Sequence, residues 1–263
     1  MTLHSYKDTA NPFEKVNVVD YLTYRPLYPK EMINNIIRKH LSSPNDLVVD
    51  LWTGNGQVAI EFAKAGYTTI WIDPNKEMLA SWHFHFLLDK RLGTAENTWL
   101  QDSSVDLITI GSSIHWFDID AFFNEAYRIL KPWGIITAFS YDAWKNIESL
   151  NSFLQDYFRE NFITRFNHGT QEELKKYIYE WKYKNLPTTP LFTKVGYESH
   201  EILTEIQVHD YIELVKTTAG ALGYNIQNNA DLWKTMYDDL SAYLQDYLIH
   251  KYSVFCVTYK KND

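Results

Sequence analysis

The chain has 263 residues, of which 45% are apolar and 16% aromatic, so it can bury a sizeable core and is not a disordered chain. Its formal net charge of −8, without a run of Lys and Arg, argues against a nucleic-acid partner, and no apolar stretch approaches the roughly 18 to 20 residues of a membrane helix. A single cysteine, Cys256, and an N-terminus without a signal-peptide pattern predict a cytoplasmic protein without internal disulfides, whose expected partner is a small molecule.

The first 30 residues form a predicted N-terminal arm. They are rich in Tyr and Pro, as in the stretch Tyr24-Arg25-Pro26-Leu27-Tyr28-Pro29, a composition typical of irregular or briefly helical structure. A first full helix is predicted at 30–41, where apolar residues recur with helical spacing until Ser42-Ser43-Pro44 ends the pattern.

From residue 47 onwards, short apolar runs alternate with helical patterns. Helices are predicted at 57–65, 75–82 and 119–130. Strands are predicted at 47–51, 68–72, within 84–92, at 105–110 and at 135–139. Such alternation is typical of an α/β protein with a mostly parallel, doubly wound sheet, in which ligands bind beyond the carboxyl ends of the strands.

After Ser140 the pattern changes to long helical segments at 144–183 and 210–250, while the strands 197–207 and 252–259 complete a predicted seven-stranded sheet. We therefore predict a single domain over 1–263, with 1–30 as the arm and 30–141 as the ligand-binding core. The insertions 142–195 and 209–250 are predicted to form a helical lid. The last strands fall within 196–208 and 252–259.

A glycine-bearing turn follows the first predicted strand. Gly54-Asn55-Gly56-Gln57-Val58-Ala59 satisfies the dinucleotide pattern G-x-G-x-x-G/A, and Asp73 lies 19 residues after Gly54, near the distance expected for a ribose-binding acid. Several nucleoside-binding families share this arrangement, and a tight turn without any ligand is the plain structural alternative. Asp50, inside the end of the strand, favours a cationic ligand such as S-adenosylmethionine, which carries a sulfonium and an ammonium group.

The pattern Asp50-x-Trp52-x-Gly54-x-Gly56, followed by Asp73-Pro74-Asn75, resembles the class I S-adenosylmethionine-dependent methyltransferases, which have a Rossmann-like fold. The resemblance continues in the stretches 93–96, 103–108, 114–117 and 130–134. With Phe13 and the 24–29 stretch included, the chain is most similar to the trans-aconitate methyltransferase group of small-molecule enzymes.

This resemblance implies a role for each matching position. The loop from Asp50 through Trp52, Gly54 and Gly56 would hold the methionine part of the cofactor, and Asp73 would accept hydrogen bonds from both ribose hydroxyls. The adenine would be lined by Met78, Ala95 and Glu96. Near the transferable methyl group would lie Ser112 and Ser113. The substrate would meet His115 and Trp116, with Tyr24, Arg25 and Tyr28 in a lid.

Two tryptophans replace glycines that the family usually shows. Trp52 stands at the first glycine of the loop, and Trp133 stands at the first glycine of the turn Lys131-Pro132-Trp133-Gly134. A Trp in a left-handed backbone costs on the order of 1 to 3 kcal/mol. The alternative is therefore a methyltransferase-fold protein whose cofactor site is altered or lost. A third possibility, a nicotinamide-dependent oxidoreductase, rests on the glycine spacing alone.

Several side chains have more than one possible role. Arg25 could orient a carboxylate substrate or lie in a surface ion pair, and His115 could act as a general base or shape a pocket wall. Trp116 and Phe117 could stack on a substrate or belong to the core. His83 and His85 have a spacing that zinc can use, but no nearby Cys or acidic pair completes the set, so no metal site is predicted.

Overall fold

The computed structural model describes residues 18–80, 83–142, 189–221, 230–244 and 247–263, and every structural statement below concerns these residues. The arm before residue 18, including Phe13, and the helical segment predicted at 144–183 lie outside them.

Fourteen regular elements lie in the described part of the chain, besides a short 3-10 turn at Ile114–Trp116. The helices are α1 Val18–Tyr24, α2 Lys30–His40, α3 Gln57–Lys64, α4 Lys76–Leu79, α5 Ile119–Ile129, α6 Val208–Ala221 and α7 Ala230–Leu244. The strands are β1 Leu47–Leu51, β2 Thr68–Asp73, β3 Leu88–Leu92, β4 Val105–Gly111, β5 Leu130–Asp142, β6 Phe192–Gln207 and β7 Tyr247–Lys261.

All seven strands belong to one sheet with the order β3-β2-β1-β4-β5-β7-β6. The first five strands are parallel, whereas β7 runs antiparallel to both of its neighbours. The prediction of a mostly parallel, doubly wound, seven-stranded sheet is therefore confirmed. Because the chain passes from β3 back across β1 to β4, the strand order reverses between β1 and β4.

The core has two parts because side chains of each strand alternate between the two faces of the sheet. One face of β1 presents Val49 and Leu51 to a cluster that includes β4, β5 and α5 residues. The other face presents Val48, which shares a cluster with α2 and α3 residues. Helices therefore cover both faces of the parallel part of the sheet, as a parallel sheet requires.

Helix starts in this region follow local chemistry. The α4 helix begins where the Asn75 side chain accepts a hydrogen bond from the Glu77 backbone N–H at 2.8 Å, and α5 begins where Asp118 accepts one from Ala121 at 3.2 Å. Before α3, Gly56 adopts a left-handed conformation with φ of 72°. Each of these starts lies beyond the carboxyl end of a strand.

Several predicted boundaries were wrong. The α4 helix begins at Lys76 rather than residue 75, and its described part is a single turn that ends at Leu79, whereas β3 lies within the predicted stretch 84–92. β5 starts at Leu130, because Leu130 pairs with Val105 before a register shift brings Ile135 opposite Leu107. The turn 131–134 therefore interrupts the ladder without ending it.

The boundaries of the last two strands also differ from the prediction. β6 begins at Phe192, inside the stretch assigned to the first cap insertion, and β7 begins at Tyr247, inside the predicted helix 210–250. Residues 247–250 pair with 204–207 of β6, and this pairing overrides their local helical pattern. The helices α6 and α7 occupy most of the second predicted insertion, and their role as a lid stays a prediction.

None of the described helices combines the length and apolar character needed to cross a membrane.

Candidate functional site

The loops after β1 and β2 and the segment after β4 lie at the carboxyl edge of the sheet. The strand order reverses between β1 and β4, and in an open α/β sheet this reversal forms a crevice between the loop after β1 and the segment after β4. Ligands of open α/β sheets bind at such switch points. This crevice is therefore the candidate site.

The loop after β1 has an unusual backbone. Trp52, Gly54 and Gly56 have φ values of 54°, 64° and 72°, all in the left-handed region. A Cβ atom on Gly56 would lie 2.6 Å from the Trp71 ring, so glycine is needed there for packing as well as for conformation. The Trp52 backbone N–H donates to the Ile72 carbonyl at 2.9 Å and holds the loop against β2.

Asp50 is fully buried, and its carboxylate binds groups of this chain. It accepts hydrogen bonds from the Thr53 hydroxyl, from the Thr109 hydroxyl at 2.7 Å and from the Ala59 backbone N–H at 3.0 Å. These partners belong to the loop, to β4 and to α3. Burial raises the pKa of Asp50 to about 7, and the three hydrogen bonds oppose the increase. Asp50 thus shapes the loop, and a direct contact with a cofactor stays a prediction.

Asp73 lies at the end of β2, beside the same loop, and is 4% exposed. Its Oδ1 accepts a hydrogen bond from the Asn75 backbone N–H at 2.8 Å. Burial raises the pKa of Asp73 to about 7 and the charge of Asp50 adds to the increase, while hydrogen bonds from the backbone N–H groups of Asn75 and Gly54 oppose it. A carboxylate has about four acceptor positions, so these two backbone donors leave capacity for further hydroxyl donors.

The residues expected to line an adenine lie in or near the core. Met78 is 2% exposed and packs with Ala59 and Trp71, and Ala95 is 1% exposed. Glu96 is half-buried, and its carboxylate accepts a hydrogen bond from the Asp118 backbone N–H at 2.9 Å. Their contacts with a cofactor stay predictions.

Three hydroxyl groups form a chain at the ends of β4 and β5. The Ser112 Oγ lies 2.7 Å from the Tyr28 hydroxyl and 2.9 Å from the Ser140 Oγ. The Tyr28 ring packs edge-on against Phe139, with centroids 4.7 Å apart, and Ser112 has a left-handed φ of 54°. The structure therefore brings the predicted residues Tyr28 and Ser112 into contact. Sequence reasoning missed Ser140, whose only sequence signal is its place at the end of a predicted strand.

The N-terminal arm also contacts β5 and α6. The Arg25 Nη1 donates to the Tyr141 hydroxyl at 3.2 Å, and its guanidinium lies 6.0 Å from the centre of that ring. The Tyr24 ring packs edge-on against His209 of α6 at 6.2 Å. Arg25 and Tyr28 thus both contact Tyr141, because the Tyr28 ring packs against the same ring with centroids 5.5 Å apart. Tyr141 and His209 were also missed by sequence reasoning.

The segment after β4 carries the remaining predicted residues. Ser113 is buried and donates to the Leu51 carbonyl at 3.2 Å, and the half-buried Trp116 packs against the core cluster that contains Phe117. The backbone of His115 lies in the 3-10 turn, but its side chain is outside what the structure describes. Its role as a general base stays a prediction.

Both tryptophans at glycine positions adopt left-handed conformations. Trp52 has a φ of 54° and Trp133 a φ of 67°, so the expected cost of roughly 1 to 3 kcal/mol applies to each. Trp133 is 56% exposed, with the Lys260 ammonium 4.3 Å from its ring centre. Trp52 is half-buried, and its ring packs edge-on against Phe117 with centroids 5.3 Å apart.

A separate cavity of about 430 Å³ lies outside the crevice, between α6 and α7. It is lined by residues such as His209, Glu213 and Trp233, and none of its lining residues comes from the loop after β1. Among the described residues, no group of three or more His, Cys, Asp and Glu side chains could hold a metal ion.

Comparisons with known proteins agree with this geometry. Residues 49–138 match the family model described as a methyltransferase domain. A protein of Dictyostelium discoideum named as a methyltransferase is 32% identical over 125 residues, which cover 48% of this chain and 47% of that protein. The ubiquinone/menaquinone biosynthesis C-methyltransferase UbiE of Rubrivivax gelatinosus is 38% identical over 102 residues, 37% of this chain and 41% of UbiE.

The chain thus spans about half the length of the curated relatives that it matches. A solved structure described as a type II methyltransferase from Anaeromyxobacter dehalogenans superimposes with a TM-score of 0.68, at 17% identity, covering 91% of this chain and 98% of that chain. The fold is therefore the Rossmann-like methyltransferase fold, and residues 49–138 at its centre match a methyltransferase domain.

Proposed function

We propose that the protein is an S-adenosylmethionine-dependent methyltransferase that acts on a small molecule. The observation that carries the proposal is Asp73, a buried carboxyl at the end of β2, hydrogen-bonded to the loop of Gly54 at the switch point of the sheet. It lies inside the segment 49–138 that matches the methyltransferase domain. An acid in this position is suited to the two ribose hydroxyls of an adenosyl ligand.

The cofactor would supply a methyl group activated by its bond to a sulfonium. On the protein side, Asp73 would accept hydrogen bonds from the ribose, and the glycine loop would offer backbone N–H groups beside the start of α3 to the carboxylate of the methionine part. Asp50 supports this arrangement by fixing the loop to α3 and β4. The adenosine side of the site thus fits the cofactor, while the half-buried Trp52 side chain narrows the crevice.

The acceptor would lie beside the hydroxyl chain of Tyr28, Ser112 and Ser140. These groups and Arg25 hold the carboxyl ends of β4 and β5 against the arm. Methyl transfer from a sulfonium is an in-line displacement, so the chain contributes chiefly by aligning the acceptor atom. A carboxylic acid, as in the trans-aconitate methyltransferase group, fits the guanidinium of Arg25 and needs no general base, because it is already ionised at neutral pH.

Calorimetric titration with S-adenosylmethionine and with S-adenosylhomocysteine tests the cofactor assignment. We expect saturable binding of both, followed by transfer of a labelled methyl group to members of a panel of small carboxylic acids. Absence of heat with either ligand at millimolar concentration would contradict the assignment. Transfer to amines or phenols but to no acid would contradict only the acceptor class.

A second candidate is a methyltransferase-fold protein whose site no longer supports methyl transfer. The observation that favours it is Trp52, which has a left-handed backbone and a ring that packs against Phe117 at the crevice. This candidate predicts an unchanged fold without cofactor turnover. The nicotinamide alternative rests on glycine spacing alone, and a parallel titration with NADH tests it directly.

A further inference from the structure

The Trp52 side chain crosses the crevice in which the proposed cofactor would lie. Trp52 belongs to the loop after β1, and Phe117 belongs to the segment after β4. Their rings meet edge-on at 5.3 Å with an interplanar angle of 76°, so the contact joins the two walls of the switch point. This step rests on the proposed function, because only that function places an adenosyl ligand between these walls.

An indole and an adenosyl ligand cannot share this space. Aromatic side chains of this size cover about 150 to 250 Å² when they are buried. A glycine at position 52, which the resemblance leads one to expect, would leave the space between the two loops open. The affinity of the crevice for an adenosyl ligand must therefore depend on where the Trp52 ring lies.

The observed position of the Trp52 ring, in contact with Phe117, has two unfavourable features. The indole Nε1 is buried and has no hydrogen-bond partner among the described residues, and the Trp52 backbone has a φ of 54°. An unpaired buried donor and a left-handed backbone at a bulky residue both raise the free energy of this arrangement. The residue is only half-buried, so part of it already faces solvent. These features favour displacement of the ring by a ligand.

We propose that Trp52 is an affinity-determining residue that fills the cofactor crevice in the ligand-free protein and is displaced when an adenosyl ligand enters. Displacement uses part of the binding free energy of the ligand. Removing the ring should therefore strengthen binding, whereas removing a side chain that contacts the ligand would weaken it. The sign of the change separates the two roles.

Calorimetric titration of the full chain with S-adenosylhomocysteine tests the proposal. We expect Trp52→Gly to lower Kd about tenfold or more, because the ligand no longer has to displace the ring. A tenfold change in Kd corresponds to about 1.4 kcal/mol of binding free energy. Trp52→Ala should change Kd in the same direction, because it also empties the crevice. Trp52→Phe should leave Kd within about threefold of wild type, because it retains a ring against Phe117.

Trp133→Gly is the matched control. It makes the same substitution at another left-handed tryptophan, and Trp133 lies at the amino ends of β4 and β5, on the edge opposite to the crevice. Its Kd should equal that of the wild type. Thermal unfolding of each variant checks that it is folded, and the Ala variant replaces the Gly variant if the latter does not fold.

A second measurement follows the Trp52 ring in the wild-type chain. In the wild-type chain labelled with 5-fluorotryptophan, the ¹⁹F resonance that is missing from Trp52→Phe should shift when S-adenosylhomocysteine is added, because the ring leaves Phe117. The proposal is overturned if the wild type binds and both Trp52→Gly and Trp52→Ala bind no tighter, or if the resonance does not move. Binding by Trp52→Gly alone would support it. Absence of binding by every variant would instead contradict the proposed function.

Discussion

The two buried carboxyl groups at the carboxyl edge have different surroundings. Asp50 accepts three hydrogen bonds, two of them from side-chain hydroxyls. Asp73 accepts hydrogen bonds from the backbone N–H groups of Asn75 and Gly54, which belong to two loops. Asp50 therefore acts on the shape of the site, and Asp73 has acceptor positions left for a ligand.

Asp73→Asn should weaken binding of S-adenosylhomocysteine by at least tenfold. The substitution replaces a charged acceptor with an amide, and hydrogen bonds to charged groups contribute about 1.5 to 3 kcal/mol each. Calorimetry measures the change in Kd. Asp89→Asn, which alters an exposed carboxylate on the neighbouring strand β3, is the control and should bind as the wild type does. Equal affinities for Asp73→Asn and the wild type would rule out the assigned role.

Asp50→Asn should change how stability depends on pH. The folded-state pKa of Asp50 is about 7, above the unfolded value of about 3.9, so the folded chain holds this proton more tightly between those pH values. The contribution of the group is fully present below pH 4 and is lost as pH rises towards 7. Urea unfolding at several pH values should show wild-type stability falling, relative to Asp50→Asn, from about pH 4 to 7. Parallel curves for the two proteins would contradict this.

Among the helices and strands, local sequence patterns predicted the presence of a strand better than the residues at which it begins and ends. β1 runs from Leu47 to Leu51 as predicted, because an apolar run of five residues bounded by turn signals has the length of a strand and is too short for a typical helix. The start of β7 was missed, since residues 247–250 pair with residues of β6 that lie 40 to 46 positions earlier in the chain. Pairing between distant segments leaves no trace in a local pattern.

The candidate site shows the same division. Gly54, Gly56 and Asp73 were predicted because their spacing along the chain is itself the signal. The inward orientation of Asp50 could not be predicted, because Thr109 reaches it from a strand 59 residues later. Ser140 and Tyr141 were missed for the same reason, since Ser140 meets Ser112, 28 residues earlier, and Tyr141 meets Arg25, 116 residues earlier.

An element-scale prediction concerns the start of α4. Asn75→Ala removes the side chain that accepts hydrogen bonds from the Glu77 and Met78 backbone N–H groups at 2.8 and 3.4 Å. Loss of such a cap costs about 1 kcal/mol, with a range of about 0.5 to 2. Chemical denaturation should show this loss, and Asn45→Ala, at an exposed loop position, should show a much smaller one. Equal effects of the two substitutions would argue against the capping role.

In the molecule as a whole, the N-terminal arm connects the sheet to α6. Within the arm, Tyr24 contacts α6, Arg25 contacts Tyr141 of β5, and Tyr28 contacts Ser112 after β4. The arm therefore contacts α6, β5 and the segment after β4, beside the proposed acceptor. Loss of one contact should affect the acceptor more than the cofactor.

Arg25→Ala tests this separation. In methyl transfer to a carboxylic acid, we expect KM for the acid to rise about tenfold or more, since a charge-assisted contact is lost. The Kd of S-adenosylhomocysteine should stay unchanged. Arg25→Lys should recover only part of the loss, because an ammonium cannot form the paired hydrogen bonds of a guanidinium. A matching rise in the cofactor Kd would show that Arg25 acts on the whole crevice.

The position of β7 between β5 and β6 also constrains how the chain folds as it is made. β6 has β7 as its sheet neighbour, and the two strands pair along almost their whole lengths. The sixteen residues of β6 therefore emerge from the ribosome well before their partner does. Until residues 247–261 are synthesised, β6 is an unprotected strand open to wrong pairing, and the edge beyond β5 can close only as a late step.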